Sequence, residues 1–297
     1  MNSKGYIKLL TNVLYDVQAV RIAVDNRINT FSKASDSETQ IMAKELNERI
    51  SKQLHITEES TAVEISKYVK DIPIMQWLDR VSGIGPRLSG SLIGMIGDPP
   101  DTVSQLWAYC GMGNIPVCLD CNRIAYAGEE RIRFCINQSN RRWEQHEKKK
   151  EKEDIDEETF KRDALLDTEK KLCQCLKPNI KSVATGRKYF KAMLINYNPF
   201  LKITCWKIAS QFVRQGKFYR TIYEQAKLKY SVDLTLKPLH RENRARRYVI
   251  KLFLSHLHEM WSKSEGREVK PFYYKQFGDF SGHTYIDPPY ADIYDKE

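Results

Sequence analysis

Hydrophobic residues recur at helical spacing over the first 70 residues of the chain. Between residues 6 and 30 they follow an alternating spacing of three and four, at Leu10, Val13, Val17, Val20 and Val24. A second helix, predicted over 37–55, carries Met42, Leu46, Ile50 and Leu54 at spacing four. Stripes of this kind pack one helix against another, so a helical hairpin or a short coiled coil is predicted. Packing within one chain and the seam of a homodimer fit the stripes equally well.

The pattern stays helical through most of the remaining chain. A third helix is predicted over 58–80, more helix over 185–230 and a last helix over 240–263. Residues 114–138 differ, because β-branched and aromatic residues alternate around a turn at "AGEE", which predicts a small β-hairpin. The densely charged stretch 140–175 predicts a solvated helix or an insertion. The predicted fold class is therefore mainly α.

Composition narrows the class of protein. The 297 residues are 41% hydrophobic and 29% charged, which is typical of a globular chain. No apolar run reaches the roughly 18 residues needed to cross a bilayer, and the first residues lack the pattern of a signal peptide. We therefore expect a cytoplasmic protein. Seven Cys, unevenly placed, are expected to be free thiols or metal ligands rather than a disulfide framework.

Positive charge is concentrated in the C-terminal half. The net charge is +10, and residues 184–270 contain 19 Lys or Arg against 6 Asp or Glu, so the rest of the chain is slightly acidic. Mere solubility would predict an even spread of charge. A concentrated basic region instead indicates binding to a phosphate backbone.

The stretch "SGIGPRLSG" predicts a helix-hairpin-helix corner over 75–97. Gly83 and Gly85 are expected to give a tight turn with positive φ, Ile84 to point into the core, and Pro86 to begin the second helix. The amides and dipole of that helix would then face a phosphate, with Arg87 beside them. A tight αα-corner without a ligand is the alternative.

Two further groups of basic residues are candidate DNA contacts. The first, after "ATG", consists of Arg187, Lys188 and Lys191, and the second is a stripe on the last helix formed by Arg244, Arg247 and Lys251. Arginine suits bidentate contact with phosphate. A solvated basic face without a ligand is the alternative for each group.

The cysteine spacing predicts a zinc site in an insertion at 110–138. Cys118 and Cys121 have the C-x2-C spacing of half a zinc site, and the nearest cysteines that could complete it are Cys110 and Cys135. Cys110 also fits a buried position in its own helix. Cys173 and Cys175 have no evident partners in the sequence.

The segment "VSGIGPRLSGSLIGMIGDPPDTVSQLWAYCGMGNIP" resembles the C-terminal domain of the IS110/IS116/IS902-type transposases. The family pattern is a G-h-G corner, a helix ending in "IGD" and then "LxAYxGL", and here it is carried by Gly83, Gly85, residues 96–98, residues 106–109 and Gly111. A second block ending in "FYRTIYEQAKLKY" and the helix "RARRYVIKLFLSHLHEMW" resemble later family segments. The likeness spans residues 72–265.

The resemblance implies a DNA recombinase of a mobile element, in some members guided by a structured RNA. Family members also carry an acidic RuvC-like domain and a nucleophilic serine shortly after "AYxGL". We expect neither to have a counterpart here, and the next serine or threonine is Ser139, close to Arg141 and Arg142. Ser139 is the candidate displaced nucleophile, and the cap of a charged helix is its alternative role. Tyr126 is a second candidate. Whether the chain is an enzyme stays open, and Mg²⁺ is expected only if a partner supplies a nuclease domain.

The resemblance divides the chain into three segments. Residues 1–70 are the N-terminal helices, 71–270 a transposase-like DNA-binding domain with a basic helical C-terminal half, and 271–297 an extended tail rich in aromatic residues and proline. The expected function is DNA binding in transposition or recombination, as a homodimer through the N-terminal helices. The alternative is a catalytically inactive, domesticated protein that binds DNA or structured RNA. A module whose basic face binds an acidic protein is a third possibility.

Overall fold

Helices dominate the part of the chain that the structure, a computed structural model, describes: residues 3–32, 37–121, 123–149, 156–184, 197–269 and 285–295. In chain order the elements are α1 (Ser3–Phe31), α2 (Glu38–Val69), α3 (Met75–Leu78), α4 (Pro86–Ile96), α5 (Val103–Tyr109), β1 (Asn114–Cys118), α6 (Gly128–Lys149), α7 (Glu157–Lys171), β2 (Ile180–Ala184), α8 (Pro199–Gln215), α9 (Lys217–Ser231), α10 (Pro238–Ser264) and a 3-10 turn (Ala291–Tyr294). The predicted fold class, mainly α with a small two-stranded antiparallel element, is confirmed.

The chain divides into two compact units. The first is built from both ends of the chain, Met1–Leu106 and Phe200–Glu297, and the second from Trp107–Pro199. The N-terminal helices therefore share a unit with helices from the end of the sequence.

In the first unit, α1 and α2 form an antiparallel hairpin, since the ring of Tyr6 contacts that of Tyr68 and the hydroxyl of Ser51 donates to Asp25. The sequence predicted separate helices over 37–55 and 58–80. The structure corrects this to one helix that ends at Val69, because no Gly or Pro interrupts residues 38–69.

Helix α4 packs closely on this hairpin. A Cβ at Gly90 would lie 2.2 Å from Cγ2 of Ile65, so only glycine permits the approach of α4 to α2. Leu92 and Ile93 of α4 are fully buried, as are Ile7 of α1 and Ile65 of α2. The hairpin and α4 therefore form one apolar core.

The stripes predicted as a helix seam are largely exposed. Val13 and Val20 of α1 and Met42 and Leu46 of α2 are 42%, 52%, 65% and 49% exposed, whereas Val24 is buried. The α1 core face runs instead through positions such as Ile7, Thr11 and Leu14. Packing within the chain thus uses neighbouring positions, and the homodimer seam stays a prediction.

An aromatic core joins α3 to the C-terminal helices of the same unit. The rings of Phe212 (α8), Tyr219 (α9) and Phe253 (α10) contact one another, and Trp77 (α3) stacks on Phe253 with centroids 5.9 Å apart. The indole N–H of Trp77 donates to the carbonyl of Pro289 at 2.7 Å. The described part of the predicted extended tail, 285–295, is therefore bound to the helix that precedes the glycine corner.

Buried His256 makes the stability of this core dependent on pH. Nε2 of His256 lies 2.8 Å from the carbonyl oxygen of Ile286, so it carries the proton, and the hydroxyl of Tyr219 then donates to Nδ1 at 2.9 Å. Burial lowers the pKa of His256 from 6.5 to about 4. Below pH 6.5 the unfolded chain binds a proton at this residue that the folded chain does not. The free energy of unfolding therefore decreases as the pH falls from 6.5 to 4.

We expect this loss to reach about 3 kcal/mol, measured by urea unfolding at a series of pH values. His256→Gln should make the pH dependence less steep, although buried His258, whose pKa is also lowered, still contributes, whereas His55→Gln, at an exposed site, should leave it as in the wild type. An equally steep loss in His256→Gln would contradict the assignment.

The second unit contains the sheet. Strand β1 pairs antiparallel with β2, with Cys118 opposite Ile180. The hairpin predicted within 114–138 is present in a short form: Val117 forms an antiparallel bridge with Ile124, and the amides of Cys118 and Ala125 donate to the carbonyls of Arg123 and Pro116 at 2.9 Å each. The turn predicted at "AGEE" is wrong, because residues from Gly128 onwards lie in helix α6. The longer partner of β1, strand β2 beyond α7, was not predicted from the sequence. Helices α6 and α7 pack together, with Arg142 paired to Asp167 at 2.7 Å.

Candidate nucleic-acid cleft and candidate metal centre

The glycine corner lies at the surface of the first unit. Gly83 has φ +92°, Ile84 is 8% exposed, and Pro86 begins α4, as predicted. Gly85 differs from the prediction: its φ is −102°, it is the N-cap of α4, and a Cβ there would meet nothing within 4 Å. Gly85 and Pro86 are exposed. The corner therefore presents the first turn of α4 to solvent.

A cleft of about 980 Å³ opens beside the corner. Its walls are the corner with the start of α4, one face of α1, and the exposed side of α8. Three cationic residues line it, Arg87, Lys207 and Arg214, and none of the described lining residues is Asp or Glu. The α8 residues were not predicted from the sequence, because only the folded chain brings that helix to the corner.

Two of the three cations of the cleft, Arg87 and Lys207, are held by a polar network. Glu58 of α2 is 1% exposed, and its carboxylate accepts from Gln18, Arg21 and Arg87 at 2.9, 2.7 and 2.9 Å. Burial alone would raise the pKa of Glu58, but the bonds from Arg21 and Gln18 and the charges of Arg21 and Arg87 lower it. Lys207 Nζ donates to Oε1 of the same Gln18 at 2.9 Å. The carboxylate of Glu58 is therefore ionised, and its charge is balanced by Arg21 and Arg87.

The other predicted DNA contacts are placed differently. Arg187, Lys188 and Lys191 lie outside the described residues. Arg244 is exposed, with Nη1 3.7 Å from Asp233.

The rest of the predicted basic stripe is not fully solvent-facing. Arg247 and Lys251 are half-buried, because α10 is surrounded by the core over most of its circumference. Burial, together with the charge of Arg247, lowers the pKa of Lys251 to about 8. The stripe is thus exposed only at Arg244.

Four cysteines of the second unit converge on one point. The sulfurs of Cys118, Cys121, Cys173 and Cys175 all lie within 4.8 Å of one another, and the pairs 121–173 and 118–175 are 3.4 and 3.9 Å apart. A tetrahedral Zn²⁺ with Zn–S bonds of about 2.3 Å needs sulfurs roughly 3.8 Å apart. Cys118 is the last residue of β1 and Cys121 follows the strand, whereas Cys173 and Cys175 follow α7. The cluster could hold a metal ion.

The surroundings of the sulfurs shift the pKa values of Cys118 and Cys175 in opposite directions. Hydrogen bonds from the backbone of Cys121 and Asp120 lower the pKa of Cys118, although burial opposes them. The neighbouring sulfurs of Cys173, Cys121 and Cys118 raise the pKa of Cys175 to about 12. Because full ionisation of four adjacent thiols is unfavourable without a cation, metal binding must displace protons.

The predicted ligand set is half correct. Cys118 and Cys121 belong to the cluster, but Cys110 and Cys135 do not. Cys135 lies in an apolar cluster with Ile115 and Phe134, and Cys110 is fully buried. Their places are taken by Cys173 and Cys175, which the sequence left without partners.

Ser139 is not placed as a nucleophile. It is 2% exposed inside α6, and its hydroxyl donates to the carbonyl of Lys161 at 2.5 Å, which excludes a helix-capping role as well. Tyr126 packs on Phe134 with centroids 5.0 Å apart, and burial raises its pKa. Neither hydroxyl is an activated nucleophile here.

Comparison of the chain with protein-family models, curated proteins and solved structures gives no match. The resemblance to the IS110/IS116/IS902-type transposases therefore stays a prediction. Within the described ranges no helix has the length and apolar character to cross a membrane.

Proposed function

We propose that the cleft beside the glycine corner binds the phosphate backbone of DNA. The observation that carries the proposal is the lining itself: Arg87, Lys207 and Arg214 converge on one concavity whose described residues include no carboxylate. The start of α4 adds the positive end of its dipole and the amide of Arg87, whereas Pro86 has no N–H and the amides of Leu88 and Ser89 donate to the carbonyl of Gly85. Contacts of this kind position a protein on DNA without reading its sequence.

The biological context we propose is transposition or recombination, as the resemblance implies, in a homodimer that uses the exposed stripe of α1 and α2. Structured RNA presents the same phosphates and is the alternative ligand. The burial of Ser139 favours the inactive, domesticated alternative over an enzyme. Strand-transfer assays with the wild-type chain separate the two, since a non-catalytic protein binds DNA without joining strands.

We also propose that the four cysteines bind one Zn²⁺ with a structural role. Four thiolates leave no open coordination position for a substrate, as in closed structural sites. The cysteines join β1 to the segment after α7 within a unit of limited core, where a metal adds stability that apolar burial does not supply.

A substitution at Gly85 tests the proposed role of the amide at the start of α4. Gly85→Ser should leave stability unchanged or slightly higher, because serine is a favoured N-cap that bonds the N2 or N3 amide. The same bond withdraws that amide from a phosphate, so affinity for DNA should fall several-fold. Fluorescence anisotropy and thermal unfolding measure the two effects.

Gly97→Ala, at the other end of α4, is the matched control. At φ +72° an alanine costs about 1–2 kcal/mol of stability, but Gly97 does not line the cleft, so affinity for DNA should stay that of the wild type. Unchanged DNA affinity in Gly85→Ser would show that the amide at the start of α4 does not contact the ligand.

A further inference from the structure

Glu58 is an acidic residue at the back of a cationic cleft. It is almost fully buried on α2, and two of its three hydrogen-bond donors, Gln18 and Arg87, line the cleft. An isolated carboxylate at this depth would be costly and would oppose the binding of a polyanion. Its position therefore calls for a role other than attraction of the ligand.

The third donor, Arg21, balances the negative charge of Glu58. Nε of Arg21 bonds Oε2 at 2.7 Å, and Nη1 of Arg21 also pairs with Asp25 at 2.8 Å, so Arg21 is shared between two carboxylates. Arg87 bonds the other oxygen, Oε1, through Nη1, and its side chain is 43% exposed. A guanidinium has five N–H donors in a rigid fork, so one bond to Glu58 restrains the group and uses only one of these donors.

The network also includes Lys207, on the α8 wall of the cleft. The amide of Gln18 donates to Oε1 of Glu58 and accepts from Nζ of Lys207, at 2.9 Å each. Lys207 also lies 4.8 Å from the centroid of the Tyr15 ring. One buried carboxylate thus fixes a cation of α4 directly and a cation of α8 through an amide.

We propose that Glu58 is a positioning residue, which holds Arg87 and, through Gln18, Lys207 in place on the walls of the nucleic-acid cleft. The inference rests on the proposed function of the cleft. Long cationic side chains that are already ordered in the free protein bind an anion more tightly, because less side-chain entropy is lost on binding. Glu58 would therefore strengthen the binding of an anion despite its own negative charge.

Glu58→Gln tests this inference by the sign of its effect. Removal of a negative charge beside a polyanion should tighten binding if Glu58 acts only through charge. If Glu58 positions the cations, affinity for a labelled DNA duplex should fall about tenfold, the effect of one lost hydrogen bond to a charged group. Glu64→Gln is the matched control, since it removes the same charge from α2 at a surface ion pair with Lys67 and should leave affinity within about twofold.

Arg87→Lys provides a second test that does not alter the buried group. It keeps the charge but loses the planar fork, so we expect a similar tenfold loss, and Glu58→Gln should add less in this background than alone. Circular dichroism establishes that each variant is folded. An unchanged or tighter complex of folded Glu58→Gln, or wild-type affinity in Arg87→Lys, overturns the inference. A wild-type chain that binds no DNA refutes the proposed function itself.

Discussion

Replacing Cys173 by Ser is expected to release zinc and to unfold much of the unit formed by Trp107–Pro199. Structural zinc sites contribute apparent binding free energies of about 10–16 kcal/mol, and loss of a ligand should lower zinc affinity by more than a hundredfold, since even outer-shell changes cost about ten- to hundredfold. Elemental analysis of the wild type should give about one zinc per chain. Limited proteolysis of Cys173→Ser should cut within this unit first.

Cys110→Ser and Cys135→Ser are the matched controls. Both remove a buried thiol from the same unit, but neither sulfur belongs to the cluster. Both should keep the metal, with at most the loss of stability that follows from a hydroxyl in an apolar position. A wild-type chain that folds fully without metal would refute the proposed zinc site. Loss of zinc from Cys135→Ser but not from Cys173→Ser would contradict the proposed set of ligands.

The double variant Lys207→Gln, Arg214→Gln is expected to weaken DNA binding about a hundredfold at low salt and to reduce the salt dependence by about two counterions. Both side chains belong to α8 and line the cleft, so their loss removes two of its three cations while the corner stays intact. Titrations by fluorescence anisotropy at several salt concentrations measure both effects.

Arg49→Gln, Lys52→Gln is the control for net charge. These residues are exposed on α2, do not line the cleft, and carry the same total charge. Their loss should change affinity by no more than a few-fold, through the general field of the protein. Equal losses in the two double variants would show that DNA is bound by overall charge and not by this cleft.

The local features of the candidate sites could be predicted from the sequence. The glycine corner depends on neighbours within a few residues, so Ile84 and Pro86 occupy their expected positions. The predicted positive φ of Gly85 was wrong, because a glycine at an N-cap need not have positive φ. Propensity indicates that a turn is present but does not fix each dihedral angle.

Contacts between distant segments could not be predicted. Cys173 and Cys175 reach Cys118 and Cys121 only because α6 and α7 return the chain to β1, and β2 follows them into the sheet. Proximity in sequence therefore favoured Cys135, which instead fills an apolar core.

The cleft, too, is formed by segments that lie far apart in the sequence. Its second wall is α8, which lies more than a hundred residues after the corner in the sequence. Helical periodicity identifies the exposed face of α8 but not the neighbour to which that face is presented. The role of Glu58, set by donors from α1 and α4, is likewise visible only in the folded chain.

The most direct test of the nucleic-acid cleft is the salt dependence of DNA binding by the wild-type chain. Three cations in contact with phosphates predict that the logarithm of the association constant falls with the logarithm of salt concentration, with a slope of about −3. Undetectable binding at low salt, or an affinity that does not change with salt, would contradict the account.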